Sequence, residues 1–356
     1  MYFLRGDPLE ETHRVDFRLD EGPIHLAFNP SGDTLATAHG DGQVRIWDSV
    51  SGRLLKTLNA HGDYVHLVLW SPDGERLISV SDAIEFWNPN LEEVVDYIDG
   101  GAMSLAISPD SSALAAGYYY SARTQIWDIT SEARSTMQLS TCEEGQSIAF
   151  SPDGQWIATA RGSNHRQVCL WDATSGELIH ELWGQDGGIK TVVFSPDNEY
   201  LAAGDDLGVV LLWRYDSAQL VSRLPSGVGS INSLSFHPNG QVLAGLGARG
   251  WIRLWDLTSA VSESEDWNGV PAAELDKVKE GEAIPNDPSL RLTDSYGMKA
   301  LPAWSPAGDW IAYSSHYADA GVYLLNTGCI ALLNQRFADP FEVCERNAIK
   351  IEEDEL

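Results

Sequence analysis

The pattern that decides the fold is clearest in residues 147–172, SIAFSPDGQWIATARGSNHRQVCLWD. An alternating apolar segment leads into the turn phrase Ser-Pro-Asp-Gly at 151–154, and a second alternating segment follows it. Period-two alternation indicates β-strands, while proline, aspartate and glycine supply the backbone angles of a tight turn. A third apolar segment ends in Trp171 and Asp172. This unit is therefore predicted to form three consecutive antiparallel strands.

The same turn phrase, in close variants, recurs along the chain. Its prolines are Pro30, Pro72, Pro109, Pro152, Pro196, Pro238 and Pro306. Successive prolines lie 42, 37, 43, 44, 42 and 68 residues apart. A period of about 40 residues is the length of one four-stranded propeller blade. The sequence therefore predicts an all-β fold, a seven-bladed β-propeller of four-stranded antiparallel blades.

The end of the third strand adds a second signature. Six of the seven units keep a tryptophan there, namely Trp47, Trp87, Trp127, Trp171, Trp213 and Trp255. Turn, spacing and Trp-Asp ending together resemble the WD-repeat (WD40-type) β-propeller family over residues 13–333. The resemblance implies that a histidine, a serine or threonine, an aspartate and the tryptophan pin each blade. Only the second unit resembles this complete tetrad, with His61, Ser79, Asp82 and Trp87, so we expect a divergent member in which most such hydrogen bonds are lost and apolar packing holds the blades.

A propeller must pair the outer edge of its last sheet, because open strand edges invite association. Two segments are candidates for this closing strand. Residues 14–19 precede the first inner strand at the spacing of an outer strand, and residues 329–333 directly follow the last unit's third strand. Both alternatives remain open at this point.

The remaining segments define the domain organisation. The long interval before Pro306 predicts an acidic insertion in blade six at 261–289. We therefore expect an N-terminal extension at 1–12, a single propeller at 13–333 and an acidic C-terminal tail at 334–356.

The formal charge of −29, from 52 acidic and 23 basic side chains, is extreme. Such a field repels nucleic acid and anionic membrane surfaces, and it favours basic partners. The alternative is that the surplus carboxylates only keep a large surface soluble. The four cysteines form no C-x-x-C pair, and no secretion signal or membrane-spanning apolar run is evident. We therefore expect reduced thiols in a protein of the cytoplasm or nucleus.

Motifs for chemistry are missing from the sequence. There is no G-x-S-x-G elbow, H-E-x-x-H pair or G-x-x-x-x-G-K-[ST] loop, and the nine histidines are scattered. We expect no catalytic residues, no metal site, no cofactor and no enzymatic activity.

In the WD-repeat family, partners most often bind the face at which the chain enters the inner strands. The resemblance implies that residues six and eight positions before each turn proline lie there. Different side chains occupy these positions in the seven units, which suits a protein or peptide rather than a repeated small ligand. Exposed aromatic and methionine side chains are typical of interface hot spots, although two of the three tyrosines at 118–120 alternatively pack within their blade. The predicted partner-binding residues are Tyr64, His66, Met103, Tyr119, Tyr120, Gln146, Lys190, Asn232 and Met298.

Two functions fit these observations. The first is a non-catalytic protein-protein interaction scaffold that binds a partner segment on the top rim, as a monomeric propeller within a larger complex. The alternative is an acidic chaperone or chromatin-associated binder of basic proteins such as histones.

Overall fold

The computed structural model describes residues 14–16, 23–90, 92–118, 123–131, 136–139, 146–160, 166–226, 229–247, 251–257, 290–291, 303–315, 321–326 and 351–352. The predicted extension at 1–12 and the insertion at 261–289 lie outside these residues. No helix in the described part of the chain is long and apolar enough to cross a membrane.

The fold is an all-β propeller in which six blades share one build. Each has four antiparallel strands in chain order, from an inner to an outer strand. Blade 1 comprises β2 (His25–Phe28), β3 (Thr34–Ala38), β4 (Gln43–Asp48) and β5 (Leu54–Asn59). Blade 2 comprises β6 (Leu67–Trp70), β7 (Leu77–Val80), β8 (Ala83–Asn88) and β9 (Glu93–Asp99). Blade 3 comprises β10 (Ser104–Ile107), β11 (Ala113–Tyr118), β12 (Arg123–Asp128) and β13 (Thr136–Leu139).

Blades 4 to 6 repeat this arrangement. Blade 4 comprises β14 (Ser147–Phe150), β15 (Trp156–Ala160), β16 (Gln167–Asp172) and β17 (Leu178–Trp183). Blade 5 comprises β18 (Ile189–Phe194), β19 (Tyr200–Asp205), β20 (Val209–Arg214) and β21 (Gln219–Pro225). Blade 6 comprises β22 (Ile231–Phe236), β23 (Val242–Gly247), β24 (Trp251–Asp256) and β25 (Leu290–Arg291).

The last sheet is built differently. It contains β26 (Ala303–Trp304), β27 (Trp310–Ser315), β28 (Gly321–Asn326), β1 (Arg14–Asp16) and β29 (Ile351–Glu352), in this order across the sheet. Strand β1 pairs antiparallel with β28, and β29 pairs parallel with β1. The prediction of seven four-stranded antiparallel blades is therefore wrong, since the structure shows six such blades. The physical reason is that both ends of the chain supply a strand to this sheet. Strand β1 comes from the amino-terminal end, and β29 from the carboxyl-terminal end adds a fifth strand parallel to it.

Of the two candidates for the closing strand, the amino-terminal one takes the fourth position of the sheet, beside the third strand β28. Residues 14–16 occupy it through the pairing of β1 with β28. The other candidate, residues 329–333, lies outside the described residues.

A single serine organises each of the best-formed proline turns. Its hydroxyl donates to the aspartate two residues later at 2.5 Å and accepts the backbone N–H five residues later at 2.8–2.9 Å. Ser71, Ser108, Ser151 and Ser195 share this arrangement. The hydrogen bond from Ser108 holds the pKa of Asp110 below its usual value, so this carboxylate stays ionised in its turn. All of these contacts span at most five residues, which explains why the hairpins follow from local sequence.

The hydrophobic core lies between neighbouring sheets. Phe86 of blade 2 and Leu114 of blade 3 belong to one buried cluster, and Leu170 of blade 4 and Phe194 of blade 5 belong to another. A single four-stranded sheet cannot bury both of its faces, so each blade is stabilised by the next one. At the closing sheet, the indole of Trp304 donates to the carbonyl of Ser235 in blade 6 at 3.2 Å.

Cysteine pairing departs from expectation. Cys169, buried in β16, is disulfide-bonded, and the other three cysteines lie outside the described residues. The prediction that all four cysteines are reduced thiols is therefore wrong for Cys169, and cysteine usage gives no support for the predicted compartment.

Candidate partner-binding rim

The entrances to the inner strands are positioned by one repeated hydrogen bond. The residue six positions before the turn proline donates its backbone N–H to the carbonyl near the end of the second strand at 2.8–3.0 Å. Ile24, His66, Met103 and Gln146 make this bond in blades 1 to 4. These four residues therefore occupy equivalent backbone positions at the same end of their blades.

Blades 5 and 6 reach this position through a β-bulge. The register between the first two strands shifts at Lys190 in blade 5 and at Asn232 in blade 6. The preceding residues, Ile189 and Ile231, are fully buried, whereas Lys190 is half-buried and Asn232 is exposed. A bulge adds one residue without a direct partner and re-aims its side chain. Two predicted rim residues are thus displaced from the regular ladder.

An apolar surface forms where blade 2 meets blade 3, and we call Tyr64, His66 and Met103 the aromatic rim. The rings of Tyr64 and His66 stack with centroids 6.1 Å apart and an interplanar angle of 20°. Nε2 of His66 lies 2.8 Å from the carbonyl oxygen of Ala102, directly before Met103. A carbonyl can only accept, so Nε2 carries the hydrogen. The imidazole therefore braces blade 2 against the neighbouring blade, while Tyr64 and Met103 remain 38% and 42% exposed.

The other predicted rim residues fall into two groups. Tyr119, Tyr120 and Met298 lie outside the described residues, so their placement stays a prediction. Gln146 is half-buried, and its Oε1 is buried without a hydrogen-bond partner among the described residues. Tyr118, beside the first group, packs edge-on against Trp127 with centroids 6.0 Å apart, and burial raises its pKa to about 12. Tyr118 therefore packs within its blade, whereas the alternative interpretation concerned two of the three tyrosines and stays a prediction for the other two.

Sequence reasoning missed a buried histidine behind the rim. His25 lies on the inner strand of blade 1 and is 5% exposed. Burial, with a smaller contribution from the nearby His66, lowers its pKa to about 4. At the equivalent position five residues before the proline, Ser104 and Ser147 accept N–H bonds from the next inner strand at 3.0 and 3.1 Å. A comparison of the repeats could have identified His25, because it stands where blades 3 and 4 have a serine.

In blade 2 the structure brings three of the four predicted tetrad residues into one chain of contacts. The indole of Trp87 donates to Oγ of Ser79 at 3.0 Å, and Nε2 of His61 lies 2.9 Å from the same oxygen. Asp82 is 3.8 Å from Nδ1 of His61, beyond hydrogen-bond range. Burial lowers the pKa of His61, so the ring is neutral at neutral pH. These hydrogen bonds, the tryptophan pin, join the third strand of blade 2 to its second strand and to the segment that precedes its first strand.

The same pin occurs in blades where it was not expected. The indole of Trp47 donates to Thr37 and that of Trp171 to Thr159, both at 2.9 Å. In blade 1, Nε2 of His39 lies 2.8 Å from the Thr37 hydroxyl. The prediction that these bonds are mostly lost is therefore wrong for blades 1 and 4. The signal was a hydroxyl residue seven positions after the turn proline.

Within the described part of the chain, no three histidine, cysteine, aspartate or glutamate side chains group closely enough to hold a metal ion. The polar clusters described above instead hold turns and blades together through hydrogen bonds. Among the described residues, Tyr64 and Met103 of the aromatic rim are apolar side chains that remain accessible at the inner-strand entrances.

Two protein-family models match parts of this chain. A model described as "Anaphase-promoting complex subunit 4 WD40 domain" matches residues 18–79, and "WD domain, G-beta repeat" matches 139–172, 176–214 and 219–256. Each of the three repeats begins at or beside the outer strand of one blade and ends with the third strand of the next. This chain is a WD-repeat protein. Each sequence repeat is thus offset from a blade by one strand, so that it contributes the outer strand of one blade and the first three strands of the next. In the last sheet, β1 is the strand paired with the third strand β28.

Curated relatives of this WD-repeat protein have varied names. Nuclear distribution protein PAC1 of Coccidioides posadasii is 30% identical over 52% of this chain and 35% of its own length. Transcriptional corepressor LEUNIG_HOMOLOG of Arabidopsis thaliana is 27% identical over 48% of this chain and 22% of its own length. Meiotic recombination protein rec14 of Schizosaccharomyces pombe is 26% identical over 55% of this chain and 65% of its own length. The chain spans less than two thirds of each relative, and none of the three names describes an enzyme.

Proposed function

We propose that this WD-repeat protein is a non-catalytic scaffold that binds a segment of a partner protein on the aromatic rim. The observation that carries the proposal is the exposure of Tyr64 and Met103 on either side of His66, which bridges blades 2 and 3. Aromatic and methionine side chains offer a large contact area at low entropic cost. A rim held by a bridging histidine is also pre-organised, which lowers the cost of binding.

A polar contact supports the same surface. Oε1 of Gln146, at the equivalent position of blade 4, is buried without a hydrogen-bond partner among the described residues. An unsatisfied buried acceptor costs about 1–3 kcal/mol. Because this oxygen is buried, a donor on a bound segment could recover part of this energy only if the Gln146 side chain turned outward to the rim.

The test is affinity purification with the double variant Tyr64→Ala/Met103→Ala. Val50→Ala/Leu55→Ala is the matched control, because these side chains are also apolar and exposed but lie in the turn before the outer strand of blade 1 and on that strand. We expect partners recovered with wild type and control to be lost with the rim variant. Equal recovery with all three proteins would remove this site.

A second candidate function is the binding of basic proteins such as histones, as a chaperone or chromatin-associated factor. The net charge of −29 favours it, because such a field attracts cationic partners. This function predicts binding to core histones that weakens steeply as salt rises. Histone binding that is indifferent to salt would argue against it.

The proposal also covers the oligomeric state and the cellular compartment of the scaffold. We propose that the propeller is monomeric and works within a larger complex in the cytoplasm or nucleus. The names of the nuclear distribution protein and the transcriptional corepressor support these compartments. Fractionation of cells that express a tagged chain tests the compartment.

A further inference from the structure

Three carboxylates accompany the aromatic rim, and we call Asp63, Asp82 and Asp99 the rim aspartates. Asp63 directly precedes Tyr64, and its Oδ1 accepts the backbone N–H of Tyr64 at 2.8 Å. Asp82 lies between the second and third strands of blade 2, and Asp99 pairs with Ala83, the next residue. All three are exposed, and 92% of the Asp82 side chain is accessible.

Backbone contacts place Asp82 at the junction that the rim spans. The N–H of His66 donates to the carbonyl of Val80 at 3.0 Å, two residues before Asp82. On the other side, a Cβ on Gly101 would lie 3.4 Å from Cα of Asp82, and Gly101 stands two residues before Met103. Asp82 therefore lies between the two parts of the chain that supply the rim.

No neighbouring cation offsets this charge. The segments 59–66, 81–83 and 99–103 contain no lysine or arginine. Among the described residues, no lysine or arginine forms a salt bridge with a rim aspartate. His61 lies 3.8 Å from Asp82, but burial lowers the pKa of this histidine, so it is neutral at neutral pH. The rim is thus an apolar surface with an uncompensated negative border.

The entrance of blade 5 shows that this arrangement is not a general result of the acidic composition. Leu207 is 62% exposed there, between the second and third strands. Asp186, in the segment that enters the same blade, lies 3.8 Å from the guanidinium of Arg223. An exposed apolar side chain of this entrance is therefore accompanied by a carboxylate with its own cation.

The border specifies the kind of segment that fits the rim. Aromatic and methionine contacts supply affinity, whereas complementary charge steers association and disfavours wrong partners. An acidic or phosphorylated segment would bring like charges together, and so would a second copy of the rim. A segment that carries lysine or arginine beside an apolar residue complements both the charge and the apolar side chains.

We propose that the aromatic rim selects partner segments in which one apolar residue is flanked by lysine or arginine, an inference that rests on the proposed scaffold function. The apolar residue packs against Tyr64 and Met103, and the flanking cations lie near the rim aspartates. The preference for a basic partner thus belongs to one surface of the propeller and not only to its net charge.

The probe is a short fluorescein-labelled peptide in which one leucine stands between pairs of lysines, with serines at the ends. Its control has glutamine at each lysine position. The protein variant replaces the three rim aspartates by asparagine, which keeps the Oδ1 acceptor of Asp63. Its matched control neutralises three exposed acidic residues in connections at the opposite end of the blades, as Glu75→Gln/Glu177→Gln/Asp216→Asn. Equal thermal midpoints for the two variants establish that both are folded.

We expect the rim-aspartate variant to bind the lysine peptide about tenfold or more weakly than the matched control, because exposed charge pairs contribute a few-fold each. Added salt should weaken binding to the matched control more than binding to the rim-aspartate variant. Equal affinities of the two variants would show that only the net charge acts, and would overturn the proposal. Equal binding of the lysine and glutamine peptides to wild type would overturn it as well.

The variant Tyr64→Ala/Met103→Ala separates this inference from the function on which it rests. It should lose the lysine peptide, and binding like wild type would show that the peptide lies elsewhere, which contradicts the proposal. If partner recovery depends on the rim but the two charge variants bind the peptide equally, the cation preference fails and the scaffold function stands. If partners are recovered equally with wild type and the rim variant, the scaffold function itself fails.

Discussion

Removing one hydroxyl from blade 2 tests whether the tryptophan pin stabilises the propeller. In Ser79→Ala, the indole of Trp87 loses the acceptor that lies 3.0 Å away, and Nε2 of His61 loses the oxygen at 2.9 Å. Ser79 is fully buried, so water cannot replace the hydroxyl without opening the blade. The variant isolates the hydrogen bonds, because alanine keeps the small volume of serine.

The magnitude follows from the two groups left behind. A buried donor without an acceptor costs about 1–3 kcal/mol. The indole N–H bears this cost in full, whereas His61 retains Oε2 of Glu85 at 3.6 Å as a distant second contact. We therefore expect Ser79→Ala to lower the free energy of unfolding by about 2–4 kcal/mol.

The assay is guanidinium unfolding followed by tryptophan fluorescence. Ser79→Thr should retain most of the stability, because Thr37 and Thr159 fill the same position in blades 1 and 4 and accept the same indole bond. Ser217→Ala, in an exposed turn, is the control for the chemistry of the substitution and should change stability by less than about 0.5 kcal/mol. A Ser79→Ala protein as stable as Ser217→Ala would refute the reasoning.

Two further predictions concern pH and backbone geometry. His25 takes up a proton near pH 6.5 when unfolded but only near pH 4 when folded. The contribution of His25 to stability is therefore fully present above pH 6.5 and falls by about 3 kcal/mol on acidification to pH 4. In guanidinium titrations at several pH values, His25→Ser should reduce the pH dependence by this amount, while His39, whose pKa burial lowers to about 3, keeps its own contribution; an unchanged slope contradicts the prediction. Gly42 has φ of 82°, and a Cβ there would collide with the carbonyl oxygen of His61. Gly42→Ala should therefore lower the free energy of unfolding by about 2 kcal/mol or more and lower the thermal midpoint accordingly. Gly62→Ala is the control, because a Cβ at Gly62 meets nothing within 4 Å. Equal thermal midpoints for the two variants would exclude the collision.

Local sequence was sufficient to predict the hairpins and the blade period. The serine of each turn contacts groups two and five residues away, as Ser151 does with Asp153 and the N–H of Trp156. Such contacts do not depend on where the rest of the chain lies. The prediction of an all-β propeller therefore needed only the repeat, and the tryptophan positions followed from the same spacing.

The sequence predicted which backbone positions form the candidate site but not the side-chain contacts between them. Counting back from the turn prolines identified His66 and Met103 at equivalent positions, which the shared hydrogen bond to the second strand explains. The bond from His66 to the carbonyl of Ala102 joins residues of different blades and has no sequence signature. The bulges at Lys190 and Asn232, each of which follows a buried isoleucine, were not predicted either.

The repeated turns by themselves determined which residues form strands and how many residues separate one inner strand from the next, because those features depend on short-range hydrogen bonds and apolar alternation. Only the tertiary structure showed how the last sheet of the propeller is completed. Strands β1 and β29 come from opposite ends of the chain and pair in parallel, so the last sheet has five strands instead of four. Pairing between such distant segments is decided by which strand edges are left open once the other blades have packed. The spacing of the repeats made residues 14–19 one of two candidates for the closing strand, but no local pattern indicated that β29 would pair with it.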